Sequence, residues 1–570
     1  MKLIIKTSML LTVMTVIVVM AACGQGSVGA DTVSTSDPPS TATPAANNAS
    51  DVTEDLEFFE FTFYFNNTTR DVSRVWGECA ITRYWRERFN FHVNLARADA
   101  DPEARLSTMI AAGDLPEVVF MNRDASWRRI VDLGQFVDIT DFIPNHPGMR
   151  DYIPESTKRL LEVDGRHFTI PQWPNSGATA VGAGNLAYMY NYYLHSLAGS
   201  PAFETLEDVY DFGLSLLGTE RDGMPVIPIQ FDNRANMRHI IYGAHGTFLA
   251  DVLGLFTVYE SRVQFVYNDP KAVEALVFLN RLWRAGLMNR EVLTDGLDVI
   301  AERLAAGRVG MYIGSFPGMM HNHQAARTLL RETFPDDDFI MIDLLGAPGI
   351  GWDDVYTERL ISTGTQCISI STNATHPERI FQWLDYLLTP EAALIQIFGP
   401  AGYMWHELND DGLPIVVWSE AEMTETERRD MGIWGWNIPG HMDHIDGLKF
   451  AVNELVPPEQ RNWVDTLQSR YLAHRQWVAD EFIGLDLSVD GTSIEGINRS
   501  LIQESTERGF ADALMADSEA EARQIIQAMV DFANRNGVAE IEEIYTRHWN
   551  NNMEMLGQSF LRDITWRSSN

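Results

Sequence analysis

Apolar and polar positions change period several times along the chain, and each change marks an element. Phe58 to Phe65 is a run of Phe, Tyr and Thr, which predicts a first strand. Its polar exit, Asn66 to Arg70, precedes a helix expected to carry Trp76 and Trp85. Phe91 to Leu95 alternates as a second strand. Arg105 to Asn122 then reads as helix, sharp stop and buried strand. Leu106, Met109 and Ile110 share one helical face. Gly113 sits where a helix end favours a positive φ, and Pro116 forbids continuation. Val118-Val119-Phe120 is wholly apolar, as a strand covered on both faces should be. The loop after such a strand lies at the carboxyl edge of a sheet, where open α/β folds bind ligands.

The pattern continues. Leu186 to Tyr190 predicts a strand. Thr205-Leu-Glu-Asp208 is a capping-box helix start ahead of Val209, Phe212 and Leu216. Pro225 to Ile229 predicts another strand. Asp269-Pro270 opens a helix with Ala272, Leu276, Leu279 and Trp283 on one face, ended by Gly286. Leu304 to Gly314 repeats the helix–Gly–strand unit. Ile340 to Leu345, before Pro348, predicts a crossing between lobes, and Gln366 to Ser371 a strand. Helices open at Thr375 and Pro390, and from Glu420 the chain is mainly helical. Repeated strand–helix–strand units predict mostly parallel sheets with right-handed crossovers. The 570 residues exceed the roughly 250–300 that one core supports, so at least two lobes are expected.

The start of the chain is different. Lys2 and Lys6 precede a nearly unbroken apolar run from Met9 to Met20, then Ala21-Ala22-Cys23. That run is short for a spanning helix, which needs about 20 residues. Met20 to Cys23 resembles a bacterial lipobox, which implies cleavage before Cys23 and a lipid on its sulfur. An ordinary secretory signal cut nearby is the alternative. Residues 23–54, rich in Ser, Thr, Ala, Pro and Asn, form an expected flexible tether. Losing residues 1–22 removes two lysines and no acids, so the net charge goes from −36 to −38. Phosphate backbones would be repelled, so no nucleic-acid partner is expected. Cys79 and Cys367 each fall in an apolar stretch. They read as two buried thiols, with one disulfide as the alternative, and show no zinc or redox spacing.

Six phrases stand in order: Ala111 to Phe120, Asp164 to Pro171, Tyr267 to Met288, Ala305 to Met311, His376 to Tyr386 and Phe398 to Tyr403. Together, over about 55–410, they resemble extracellular solute-binding protein family 1, the capture subunits of ABC importers, and especially its large lipoprotein members. The resemblance implies an α/β, two-lobed periplasmic-binding-protein-like fold of type II, with a hinge and a helical C-terminal part. It implies residues 55–172 and 350–408 in lobe 1, and 173–349 and 409–570 in lobe 2. A ligand would shift an open–closed equilibrium, because only the closed form touches it from both sides. The implied protein is a monomer on the extracellular face of the membrane, held by the Cys23 lipid. It hands an oligosaccharide to a permease and does no chemistry itself.

Two departures stand out. Where relatives often show Arg, Asp and Trp, this chain has Tyr190-Asn-Tyr-Tyr-Leu194. Where some alginate-binding relatives carry a calcium loop, this chain has only Thr219 to Met224, without a ladder of oxygen ligands. No cofactor is expected, and calcium is doubtful.

Sugars present apolar faces and hydroxyls, so a cleft needs aromatic rings and Asp, Asn, Gln or Arg. The candidates stand just after strands. In lobe 1 they are Asn67, Arg70, Asn122, Arg123, Asp124 and Trp127; at the crossing, Gln172 and Trp173. In lobe 2 they are Phe231, Asp232, Arg234 and Phe316, with Trp434 and Trp436 in a late loop. Core packing for the rings, and solvated loops or caps for the polar groups, are the plainer readings. Trp76, Trp85, Trp283 and Trp383 read as core. His406-Glu407 lacks the second His of a zinc helix, and the Asp486 start of an EF-hand pattern ends on Ile497 rather than Glu. His441 and His444 read as a capped loop. Three rivals remain: a peptide-binding importer subunit, a surface carbohydrate-active enzyme with two carboxylates in one cleft, and a ligand sensor for a membrane receptor.

Overall fold

The computed structural model describes residues 56–66, 76–98, 101–175, 186–251, 253–315, 320–356, 360–364, 366–417, 430–431, 440–472 and 479–557. Nine strands build its two main sheets: β1 (Phe59–Phe65), β2 (Phe91–Arg97), β3 (Val118–Asn122), β4 (Ile170–Gln172), β5 (Leu186–Asn191), β6 (Ile227–Phe231), β7 (Val309–Ser315), β8 (Phe339–Ile342) and β9 (Gln366–Ile370). The helices that bear on the site are α1 (Ala80–Phe89), α2 (Pro102–Ala112), α3 (Ala125–Asp132), α4 (Glu155–Leu161), α5 (Arg234–Ala244), α6 (Pro270–Arg284), α7 (Pro377–Tyr386), α8 (Met442–Leu455), α9 (Ile494–Leu514), α10 (Glu519–Arg535) and α11 (Val538–Met555).

The first sheet has the order β2-β1-β3-β9-β4. β1, β2 and β3 are parallel. β9 enters antiparallel between β3 and β4, so the expected mostly parallel sheet is a mixed one. Alternate residues feed two cores, as a strand covered on both faces requires. Phe61, Phe63, Phe65 and Phe120 join Trp85 of α1 and Trp383 of α7 on one face. Tyr64, Val119 and Met121 join Leu106 and Ile110 of α2 on the other. Trp76 and Trp383 meet edge to face at 5.5 Å, a geometry worth about 0.5–1.5 kcal/mol beyond area burial. α2 starts where the Asp101 side chain caps Ala104 N and stops at Gly113, whose φ is +68°, as the sequence predicts.

The second sheet has the order β8-β5-β7-β6. Tyr188, Ile229, Phe231 and Ile313 meet α5, α6 and the three C-terminal helices, through Phe510, Ile526 and Tyr545. Ala187, Met189 and Tyr312 face a smaller core containing Leu304, Leu330 and Val464.

Packing moves several expected boundaries. Ile445 and Val452 of α8 belong to the core of the first sheet, so the helical part does not return to lobe 2 at 409. Val355 lies in the core of the second sheet, so lobe 2 runs past 350. Ile340–Leu345 opens with β8, a strand of that sheet, and the crossing follows it. The strand expected at Pro225 starts at Ile227, because Met224–Pro225 pairs with Glu220–Arg221 in a small ribbon. Trp76 is buried, but in a turn before α1 rather than on a helix. Cys79 and Cys367 are free thiols in separate cores, which disposes of the disulfide alternative. No helix of the described residues is long and apolar enough to cross a membrane.

One buried carboxylate ties the first lobe together. Asp385, on α7, accepts from Gly148 N at 2.5 Å and Met149 N at 2.6 Å. Burial pushes its carboxyl up to about 6 against the pull of those two donors. Asp385→Ala is expected to cost roughly 1–3 kcal/mol in urea unfolding, because it strands both N–H groups without water.

Candidate functional site

Parallel register sets the ends of β1, β2 and β3 on one edge: Phe65 lies beside Arg97 and beside Phe120. Asn66 and Asn122 stand at the ends of β1 and β3. β9 runs the other way, so its first residue, Gln366, reaches this same edge. It pairs with Asn122 on one side and Gln172 on the other. Asn122, Gln366 and Gln172 therefore lie side by side on one face, with Gln366 Nε2 3.5 Å from Asn122 Oδ1. Asn122 is exposed and Gln366 half-buried, and carboxamides suit hydroxyl groups; Gln172 is fully buried. Farther along, Asn66 Nδ2 donates to Glu103 Oε1 at 3.2 Å, and Ser126 Oγ donates to Glu103 Oε2 at 3.3 Å.

The second sheet offers a matching edge. β6 and β7 are parallel and β5 is antiparallel to β7, so Leu186, the start of β5, sits beside Ser315, the end of β7. The chain leaves the first sheet at Gln172 and enters the second at Leu186; it returns after β8 to Gln366. Both passages join carboxyl edges, so the two edges look onto the same crossing segments. Asn175 N donates to Ser362 O at 3.0 Å, and Asn175 Nδ2 to Ile361 O at 3.0 Å. Met442 N donates to Pro174 O at 2.9 Å, which brings in a third segment. Gly364, at φ +67°, lies so close that a Cβ there would stand 1.7 Å from Gln172 O.

The candidates separate on this frame. Asn122, Gln172 and Trp173 gather at the crossing, with Trp173 half-buried at φ +58°. Arg123 follows Asn122; its Nη2 donates to Leu160 O at 2.8 Å and its guanidinium lies 5.2 Å from the Trp127 ring. Burial lowers its pKa to about 10. Trp127 is corrected to core: it is fully buried and spends its Nε1–H on Ser369 Oγ at 3.0 Å. Phe231 is likewise fully buried. Asp124 caps α3 through Ser126 N and Trp127 N, and burial raises its carboxyl.

Asp232 accepts from Asn233 N, Asn236 Nδ2 and Ser315 N, so it ties β6 to β7; burial raises its carboxyl too. Arg234 pairs with Glu507 of α9 at 2.6 Å. Burial would raise the Glu507 carboxyl, but Arg238 and Arg234 hold it below its ordinary range. These residues are occupied by the fold. Asn67, Arg70, Phe316, Trp434, Trp436 and Cys23 lie outside the described residues.

Gln366 was missing from the candidates. The first residue of a strand normally sits at the edge away from the ligand, and only the antiparallel insertion of β9 reverses that. The sequence points to Asn67, whereas Asn66 is the residue the structure places at this edge.

No family model matches this sequence, and no curated relative does. Solved structures do. A substrate-binding protein of an S. pneumoniae ABC transporter, FusA, as an EF-hand mutant with fructo-nystose, matches at TM-score 0.63 and 14% identity, over 87% of this chain and 99% of that one. An extracellular solute-binding protein of Bifidobacterium longum subsp. infantis matches at 0.62 and 14%, over 86% and 98%. The alginate-binding protein AlgQ2, without calcium ion, matches at 0.62 and 13%, over 86% and 98%. The fold is that of the two-lobed solute-binding proteins. Within that fold, Glu220–Arg221 and Met224–Pro225 form the ribbon that carries the buried Arg221. Among the described residues no group of three or more His, Cys, Asp and Glu is arranged to hold a metal. The His441 and His444 rings lie tilted to each other with centroids 4.4 Å apart, and His441 Nε2 lies 3.0 Å from Tyr152 O.

Proposed function

We propose that this chain is the lipid-anchored extracellular solute-binding protein of an ABC importer, capturing an oligosaccharide between its lobes and delivering it to the permease. The observation that carries the reading is the carboxamide row at the crossing of a two-lobed solute-binding fold, in which Asn122 is exposed, Gln366 half-buried and Gln172 fully buried behind the strand pairing. Amide donors and acceptors suit sugar hydroxyls, and a position on the crossing couples their occupancy to lobe closure. Solved proteins of this fold include one held with fructo-nystose and one named for alginate. The lipobox at Cys23 supplies the anchor and residues 23–54 the tether. No catalytic step is assigned, and no cofactor is required.

A thermal-shift screen against glycans and peptides tests the proposal, with each hit followed for product. At about 100 times its dissociation constant a glycan should add ~2.7 kcal/mol and be recovered intact. Cleavage of the glycan would replace this reading with the enzyme, and a peptide hit would keep the fold and change the cargo. Radiolabelled acyl lipid on the wild-type chain, absent from Cys23→Ser, tests the anchor.

A further inference from the structure

Arg123 is a cation with no acidic partner among the described residues. Its Nη2 is held by the Leu160 carbonyl near the end of α4, and its flat face by Trp127. Nε is buried without a partner, and Nη1 makes no hydrogen bond among the described residues. No carboxylate pairs with it among the described residues, although acids outnumber bases 79 to 43 along the chain. At the second sheet, Arg221 has Asp337, Arg234 and Arg238 share Glu507, and Arg303 has Asp295. A buried charge normally requires a partner, because desolvation costs several kcal/mol per ion. The Leu160 carbonyl supplies only part of one.

The surroundings place this cation in a seam between the lobes. α3 packs on the Leu485–Ser488 turn of the C-terminal helical part. Just before that turn, the Ile483 carbonyl lies 2.8 Å from His548 Nε2 of α11. Burial lowers the His548 pKa, and the Arg123 charge lowers it further. Arg123 is also next to Asn122, the first member of the carboxamide row, and part of its surface remains open to solvent.

We propose that Arg123 holds a carboxylate of the cargo, so that the captured oligosaccharide is an acidic one bearing uronate-type groups. This rests on the oligosaccharide reading above and narrows it. A planar guanidinium already held on one side by a carbonyl and on one face by an indole is pre-organised to give its remaining N–H groups to a carboxylate. The strongly negative net charge does not oppose this at close range, because exposed charges are screened beyond roughly 8 Å at physiological salt.

The test is calorimetric titration of the purified protein with matched pairs of glycans: oligogalacturonates, oligoguluronates and glucuronate-containing oligosaccharides, each against its neutral methyl ester. At least one acidic member is expected to bind about 10- to 100-fold more tightly than its ester. Arg123→Gln should erase that difference, and Arg123→Lys should keep part of it, both variants melting with the parent. A difference that survives Arg123→Gln overturns the proposal. Tight binding of neutral glycans with no preference for acid also overturns it, while leaving the transport reading standing. Binding of no glycan of either kind overturns the oligosaccharide reading and this proposal together.

Discussion

The Asp337→Ala variant is expected to unfold roughly 3–5 kcal/mol more easily than the parent, because it leaves a buried cation unpaired. Arg221 Nη1 lies 2.5 Å from Asp337 Oδ2, and the two side chains are 7% and 2% exposed. The same carboxylate accepts from Asn191 Nδ2 at 2.9 Å, Tyr193 N at 3.0 Å and Asp338 N at 2.8 Å. The guanidinium is enclosed by the rings of Tyr193 and Phe334, at 4.6 and 3.9 Å. Alanine at 337 therefore strands a charge and several donors at once. The double change Arg221→Met with Asp337→Leu should recover most of the loss, since apolar residues of similar volume often replace a buried pair without penalty. Urea midpoints of parent, single and double variants decide it. A double variant as unstable as the single would mean that shape, not charge, holds this corner. Thr219 to Met224 around Arg221 lacks a ladder of oxygen ligands, so a chelator is expected to leave the parent's midpoint unchanged.

Gly364→Ala should cost roughly 2–6 kcal/mol and weaken ligand binding together with stability. Two effects add. A φ of +67° is unfavourable for alanine, and strain of this kind is of order 1–3 kcal/mol. The added Cβ would also stand 1.7 Å from Gln172 O and 3.2 Å from Trp173 O, which are backbone atoms. Overpacking of this kind costs about 1–3 kcal/mol and forces the backbones apart. Here those backbones are crossing segments, and Gln172 and Gln366 on either side belong to the carboxamide row. Gly286→Ala is the control: its φ is +72°, but nothing lies within 4 Å of the new Cβ, so it should show the dihedral cost alone. If both variants bind glycan with equal affinity, the crossing does not set the geometry of the site.

Much of the fold was legible in local signals. The stop at Gly113 and the capping box at Thr205 and Asp208 are short-range chemistry, and each appears where the residues placed it. The same holds for the Asp269-Pro270 start of α6. The candidate site was legible only where a residue follows a strand that runs toward the ligand. Asn122 meets that condition and is exposed. Gln172, Trp127 and Phe231 do too, and all three are buried, because one turn of backbone separates a rim position from the core of a sheet covered on both faces.

By itself, then, the sequence determined the element types, their caps, the two-lobed α/β class and the family it resembles. The elements and caps rest on periodicity and on residues within a few positions of one another, and the lobes and family on chain length and six ordered phrases. The tertiary structure alone decided that β9 runs antiparallel, which carries Gln366 to the ligand edge, and that α8 packs with the first sheet. It alone paired Arg221 with Asp337, 116 positions away, and left Arg123 without a carboxylate among the described residues. Strand direction and charge pairing are set by contacts between distant segments, and no local pattern of residues encodes which segments will meet.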